Sequence, residues 1–320
     1  MRYEQLSVSE LTVNTINGYS FPAGLGVGNI YYACLSYYTG PYTLLNSRFR
    51  GKHYSDGSSI LHTTIASAVS ATVSGRNDYV IVSPGPWGIT EAIDLSAKTD
   101  VHLIGAGGLT QDVGSSGPAY IVQTGNYEAI KVGSWCEVAG LQVWNKDGYS
   151  AITLGNVQGC NIHHNFIRMV GGAASTVKII DATSVGYGCN YNRIHHNKLH
   201  HYAGATLGTA IAVGLGTGND TDHNEIFAFG SLVLGTGISN MSAGGSIKFN
   251  VISECGGAGA SGGGTITIAI NSKNAGTVIG NRCAVAAGQA LEGGTAAHSF
   301  VDNMDGASGA TNGAASNLET

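Results

Sequence analysis

Ile162-His163-His164-Asn165-Phe166-Ile167 returns as Ile194-His195-His196-Asn197-Lys198-Leu199. It returns again as Thr221-Asp222-His223-Asn224-Glu225-Ile226 and as Ile247-Lys248-Phe249-Asn250-Val251-Ile252. Weaker copies are Val278-Ile279-Gly280-Asn281-Arg282-Cys283 and the stretch around Asn303. The shared phrase is an apolar residue, two further residues, Asn, one residue and another apolar residue. Successive Asn lie 32, 27, 26, 31 and 22 residues apart. A period in this range marks a repeat architecture, and its variation marks loops of different length inserted into a fixed unit.

A second pattern defines the unit. An apolar-x-apolar stretch precedes most of these Asn by about a dozen residues: Ile152–Leu154, Ile211–Val213, Ile268–Ile270 and Ala290–Leu291. Each unit therefore contains two or three short strands separated by turns. One such coil cannot bury its apolar face alone, so coils must stack. Stacking puts equivalent residues about 4.8 Å apart. Asn165, Asn197, Asn224, Asn250, Asn281 and Asn303 are then expected to form an internal ladder, each amide bonding the next coil. Asn also tolerates the left-handed backbone that such a turn can require.

Bulk properties narrow the class. The 320 residues include 43% hydrophobic residues, 11% charged residues and 49 Gly, which suits an all-β repeat with many turns. The net charge of −5 excludes the electrostatic footprint of a nucleic-acid-binding protein. No apolar run reaches membrane-spanning length. Cys34, Cys136, Cys160, Cys189, Cys255 and Cys283 show no C-x-x-C spacing, so buried thiols are expected rather than a zinc site or disulfide framework. The start, Met1-Arg2-Tyr3-Glu4-Gln5, has no secretory apolar core, and assembly in a cytoplasm is expected.

Residues 1–52 stand outside the repeat. Leu6–Ser9 and Leu11–Asn14 alternate like strands, Asn17-Gly18 signals a turn, and Tyr31, Tyr32, Tyr37, Tyr38 and Tyr42 form an aromatic-rich stretch. That stretch reads either as an interface or as a small cap on the first coil. Leu61, Ile65, Ala68, Val69 and Val73 recur at helical spacing and predict a capping helix over 59–74. Ser58 or Ser59 would cap its start and Gly75 its end. Residues 53–305 then form the solenoid, with Gly-rich loops at 106–117, 214–218 and 256–264. The Gly/Ala-rich tail, 306–320, is too poor in apolar side chains to fold alone and is expected at a subunit contact.

Asp56-Gly57, the helix, Tyr79–Val82 leading to Pro84-Gly85, then Ile93-Asp94-Leu95 and Val101-His102-Leu103-Ile104-Gly105 resemble the opening of the pectate-lyase-like superfamily. The resemblance covers residues 55 to about 305. It implies a right-handed single-stranded parallel β-helix of about eight coils. It also implies one of three functions: a virion-associated tailspike, fibre or capsid decoration of a tailed bacteriophage; a polysaccharide lyase or glycoside hydrolase; or a surface adhesin. The first is the expectation, in a homotrimer attached to other virion proteins through residues 1–52 and contacting cell-surface polysaccharide. Its location would be the virion, assembled in the host cytoplasm. The enzyme alternative would be extracellular.

The repeat also arranges candidate site residues. His163, His195, Asp222 and Lys248 should form one column, and His164, His196, His223 and Phe249 the next. The patch of His163, His164, His195, His196, Asp222 and His223 can hold a sugar or a divalent metal, or can serve as a stacked polar ladder. Adjacent His on one strand point to opposite sides, which argues against a metal site, and no cofactor is expected. Glycoside hydrolysis needs two carboxylates about 5–10 Å apart, which makes Asp222, Glu225 and Glu254 the catalytic candidates. A lyase would need an acidic calcium cluster beside Arg168, Arg193 or Lys198, and the sequence has none. Lys198 and Glu225 occupy one column on neighbouring coils and read as a surface ion pair.

Overall fold

The computed structural model describes residues 15–16, 19–20, 28–36, 39–107, 119–145, 148–171, 176–183, 188–204, 207–229, 233–255, 265–272, 276–285, 289–293, 299–301 and 304–305. The chain is a parallel β-helix. Among the described residues its three sheets contain 8, 11 and 9 strands, and every neighbouring pair in them is parallel. The first sheet runs from Ile93–Asp94 to Gln289–Gly293, and the third from Gly85–Ile89 to Met304–Asp305. The second includes Val101–Gly105, Glu137–Ala139, Asn161–His163, Arg193–His195, Asp220–Asp222, Gly245–Lys248 and Gly276–Ile279.

Period-two alternation explains the core. On the first sheet Ile93, Ile130, Ile152, Ile180, Ile211, Ile238, Ile270 and Leu291 are register partners in successive coils. The second sheet lines up Val80, Leu103, Val138, Ile162, Ile194, Thr221, Ile247 and Val278. Ile121, Val143, Ile167, Leu199, Ile226, Ile252 and Cys283 do so on the third. β-branched side chains suit this pleated surface, and each full burial contributes about 1.5–3 kcal/mol. Cys34, Cys136, Cys160 and Cys189 are buried thiols, as their spacing suggests.

The entry to the solenoid differs from the sequence expectation. The capping helix spans Ile65–Ala71, shorter than 59–74. Thr64, not Ser58 or Ser59, caps it by accepting from Ser67 N, and Thr72 ends it before Gly75 is reached. Leu61 lies in the strand Leu61–His62 instead. Only Ile65, Ala68 and Val69 of the helical stripe are buried, because one face of two turns is all the coil end can cover. The sheet also begins before residue 53: Ile30–Ala33 pairs in parallel with Asp78–Val82. A second helix, Thr39–Phe49, follows it. Tyr31 is fully buried in this chain's own core, and Tyr32 stacks on Phe49. Thr15–Ile16 pairs antiparallel with Tyr19–Ser20, and the turn expected at Asn17-Gly18 lies outside the described residues. Gly214–Gly218 lies within the stack of coils, tied by Gly214 N to Ala182 O and Gly218 N to Ala243 O, rather than projecting from it. The strands expected at 6–14, Tyr37 and Tyr38, all but the first two residues of the loop at 106–117, the loop at 256–264, Asn303 and the tail lie outside the described residues.

Among the described residues, the outer face of the third sheet buries polar atoms that make no hydrogen bond, and His200 holds one of them. His200 is covered by Phe166, Phe227 and Phe229, with ring centroids at 4.7, 5.4 and 4.8 Å. Its Nε2 is buried and makes no hydrogen bond among the described residues. An unpaired buried polar atom costs about 1–3 kcal/mol. The substitution His200→Phe is expected to raise stability by about 1 kcal/mol at pH 7, measured by urea unfolding. A lower midpoint would show that His200 is bonded in solution.

Candidate functional site

The turn from the second sheet to the third is built by two adjacent residues with different tasks. The first adopts the left-handed conformation: His164, His196, His223 and Phe249 have φ of 51°, 53°, 55° and 54°, and Gly140 and Gly280 hold the same place at 67° and 63°. The left-handed position thus falls on the residue before each Asn, not on the Asn. The Asn then points inward. Asn165, Asn197, Asn224 and Asn250 each donate from both backbone N and Nδ2 to the Oδ1 of the next Asn, at 2.9–3.1 Å. Asn281 receives the last pair, and all five are at most 1% exposed.

The left-handed residue also changes what neighbouring His can do. It breaks strand alternation, so the two rings converge instead of facing opposite ways. Nδ1 of His163 lies 2.7 Å from Nδ1 of His164, and Nδ1 of His195 lies 2.8 Å from that of His196. In the third copy Asp222 Oδ2 replaces the first imidazole, 3.0 Å from His223 Nδ1. Successive rings stack: His163 on His195, His164 on His196 and His196 on His223, with centroids 4.8–5.0 Å apart and planes within 14°.

For neutral rings, the hydrogen-bond partners order the tautomers. Glu137 is held down at a pKa of about 2, first by His102 and then by His163, whose rings approach its carboxylate at 2.6 Å. His163 therefore donates from Nε2, and its Nδ1 accepts from His164. His195 donates from Nε2 to Asn161 Oδ1 at 2.8 Å, so its Nδ1 accepts from His196. His223 donates from Nδ1 to Asp222. With neutral rings, the exposed imidazole of all three copies keeps an Nε2 acceptor that makes no hydrogen bond among the described residues. Burial, then Arg193 and His163, push His195 down to about 4. Burial, then His163 and His196, lower His164.

His195, His196 and Asp222 bring one ligand atom each within 4.8 Å of one another and are the residues that could hold a metal. His195 and Asp222 are already engaged, and His196 keeps only its Nε2 open. One proton closes the Nδ1 pair, and Asp222 accepts Arg193 Nε at 3.0 Å and Nη2 at 2.9 Å. An ion would have to displace a proton and share its carboxylate with a guanidinium.

The catalytic candidates are each engaged by a partner. Asp222 faces outward on the second sheet in Arg193's grip. Glu225 begins the third sheet and pairs with Lys198 at 3.6 Å, the surface ion pair expected from the register. Glu254 accepts from Ile266 N at 2.6 Å. Of the bases a lyase would use, Arg168 lies 4.6 Å from the Trp144 ring, and Arg193 and Lys198 are paired. Beside the imidazole column a cleft of about 360 Å³ is lined by Arg193, Asp222, His223, Lys248 and Phe249 among others.

Sequence reading missed the far edge of the same sheet. Trp135, Gly159, Tyr191, Gly218 and Gly244 form a second left-handed column, φ 55–68°. Behind it runs a second amide ladder: Cys160 N donates to Asn192 Oδ1, and Asn192 N and Nδ2 donate to Asn219 Oδ1. The signal was present, since Asn192 and Asn219 are 27 residues apart, the same offset as Asn197 and Asn224. Among the described residues no helix is long and apolar enough to cross a membrane. No protein-family model, curated protein or solved structure matches this chain.

Proposed function

We propose that this chain is a virion-associated β-helix of a tailed bacteriophage, a spike, fibre or capsid decoration, that binds a cell-surface glycan on the outer face of its second sheet without cleaving it. The observation that supports binding over catalysis is that Asp222, Glu225 and Glu254 are each held by a partner. A carboxylate fixed by a guanidinium is a poor proton donor or nucleophile. The same face presents three unbonded imidazole acceptors in a row beside an open cleft. Such groups suit sugar hydroxyls. In this reading residues 1–52 attach the protein to other virion components, and the chain assembles as a homotrimer.

A polysaccharide panel incubated with the full chain tests it. Retention of a glycan with no new reducing ends or unsaturated products, by a species that sediments as a trimer, is the expected result. Product release by a monomer, abolished in Asp222→Asn, would replace this reading with that of a glycan-cleaving enzyme.

A further inference from the structure

Three exposed aromatic side chains sit where backbone preference does not favour them. Trp135, Tyr191 and Phe249 adopt φ of 60°, 55° and 54°, an outlier region for bulky residues. They are 48%, 61% and 49% exposed, so no core burial offsets that strain. Each is followed, one coil on, by a glycine in the same conformation: Gly159, Gly218 and Gly280. A Cβ on those glycines would come within 2.1, 2.8 and 2.6 Å of the preceding ring. Each ring therefore lies over bare main chain of the next coil and stays about half exposed. Glycine is required there because a side chain would lift the ring.

The spacing is regular. Trp135 precedes the strand Glu137–Ala139 and Tyr191 precedes Arg193–His195, with Asn161–His163 between them. Two coils separate the rings, about 10 Å along the axis. Phe249, on the opposite edge, lies two coils further along.

We infer that Trp135 and Tyr191 are stacking platforms for an uncharged glycan laid along the solenoid axis, its alternate sugar rings seated on the two aromatic faces. The inference rests on the glycan-binding reading above and names its ligand class and direction. Two coils match the length of a disaccharide unit. The C–H face of a pyranose suits the negative face of an aromatic ring. One residue earlier in each coil stand Ser134, Gln158, Asn190 and Thr217, hydroxyl and amide side chains, and one coil before Trp135 the column holds Asp100. A net charge of −5 works against a polyanion on the same surface.

The full chain is titrated with neutral and acidic oligosaccharides, from disaccharide to hexasaccharide, by calorimetry and tryptophan fluorescence. Neutral oligosaccharides should bind and perturb the emission, with affinity rising once the chain spans both rings. Trp135→Ala and Tyr191→Ala should each raise Kd about tenfold with an unchanged melting temperature. Trp135→Phe should recover part of the loss. Wild-type affinity in both alanine variants would overturn the platform while leaving glycan binding intact. So would binding of acidic sugars that is lost in Lys248→Ala but kept in Trp135→Ala. A Trp135→Ala chain that changes oligomeric state instead of affinity would make the stripe a subunit contact. Failure of every oligosaccharide to bind would remove the glycan reading and the platform together.

Discussion

Asn224→Ala should destabilise the β-helix by about 3 kcal/mol. Asn224 is fully buried, and its amide is used at both ends. Oδ1 accepts from Asn197 N and Nδ2, while Nδ2 donates to Ile194 O and to Asn250 Oδ1. Alanine leaves Asn197 N without its acceptor in a site no water reaches, and removes a donor from Ile194 O. Each orphaned group costs about 1–3 kcal/mol, well above the net value of an ordinary hydrogen bond. Because each coil is stabilised by its neighbours, the damage should also weaken coupling across the break. Urea unfolding should show a lower midpoint and a less cooperative transition. Gln158→Ala, at an exposed position, is the control and should stay within about 0.5 kcal/mol of wild type. Equal midpoints for the two variants would mean that Asn224 faces solvent and that the register is wrong.

The ladder was legible because it is written in one residue type at a recurring offset. Ile211–Val213 and Ile162–Ile167 announce strands by alternation, and Asn between them announces a turn. The site was less legible because its geometry depends on φ. His163-His164 reads as two residues pointing apart on a strand, and only the left-handed backbone at His164, φ 51°, brings the two Nδ1 atoms to 2.7 Å. Glu137 is similarly invisible, since its partners His102 and His163 come from coils on either side, 35 and 26 residues away. Trp135 and Tyr191 carry no local signature because their counterparts in the next coil are glycines. At the entry, Ser58 and Ser59 have the chemistry of an N-cap, but His53 pairs with Ser59 in an antiparallel bridge, and that commits the segment to extended backbone. Thr64 takes the cap five residues later.

Acid should unfold the protein in two separate stages. The first involves imidazoles held neutral. Burial lowers His195 and His200 from 6.5 to about 4, and it lowers His62 and His164 as well. Below pH 6.5 the unfolded chain therefore binds more protons than the folded one. By linkage their contribution is complete above pH 6.5 and is lost as pH falls toward 4. Charging the column also sets like charges side by side, because His195 stacks on His163 at 4.8 Å. The second stage involves carboxylates held ionised. His102 and His163 keep Glu137 at about 2 instead of 4.5, and bonds from Ser58 and Arg76 keep Asp56 at about 2 instead of 3.8. Their contribution is present above pH 4.5 and disappears as pH falls toward 2. Melting temperature plotted against pH should therefore decline from 6.5 to 4 and then fall again below 4.5. Replacing His195 with Gln and His200 with Phe should flatten the first limb and leave the second in place. A wild-type curve that is level from pH 7 to 4.5 would show that these imidazoles are already protonated, or solvated, in the fold. The tautomer order deduced for His195 and His196 would fall with it, since it requires one proton between their Nδ1 atoms.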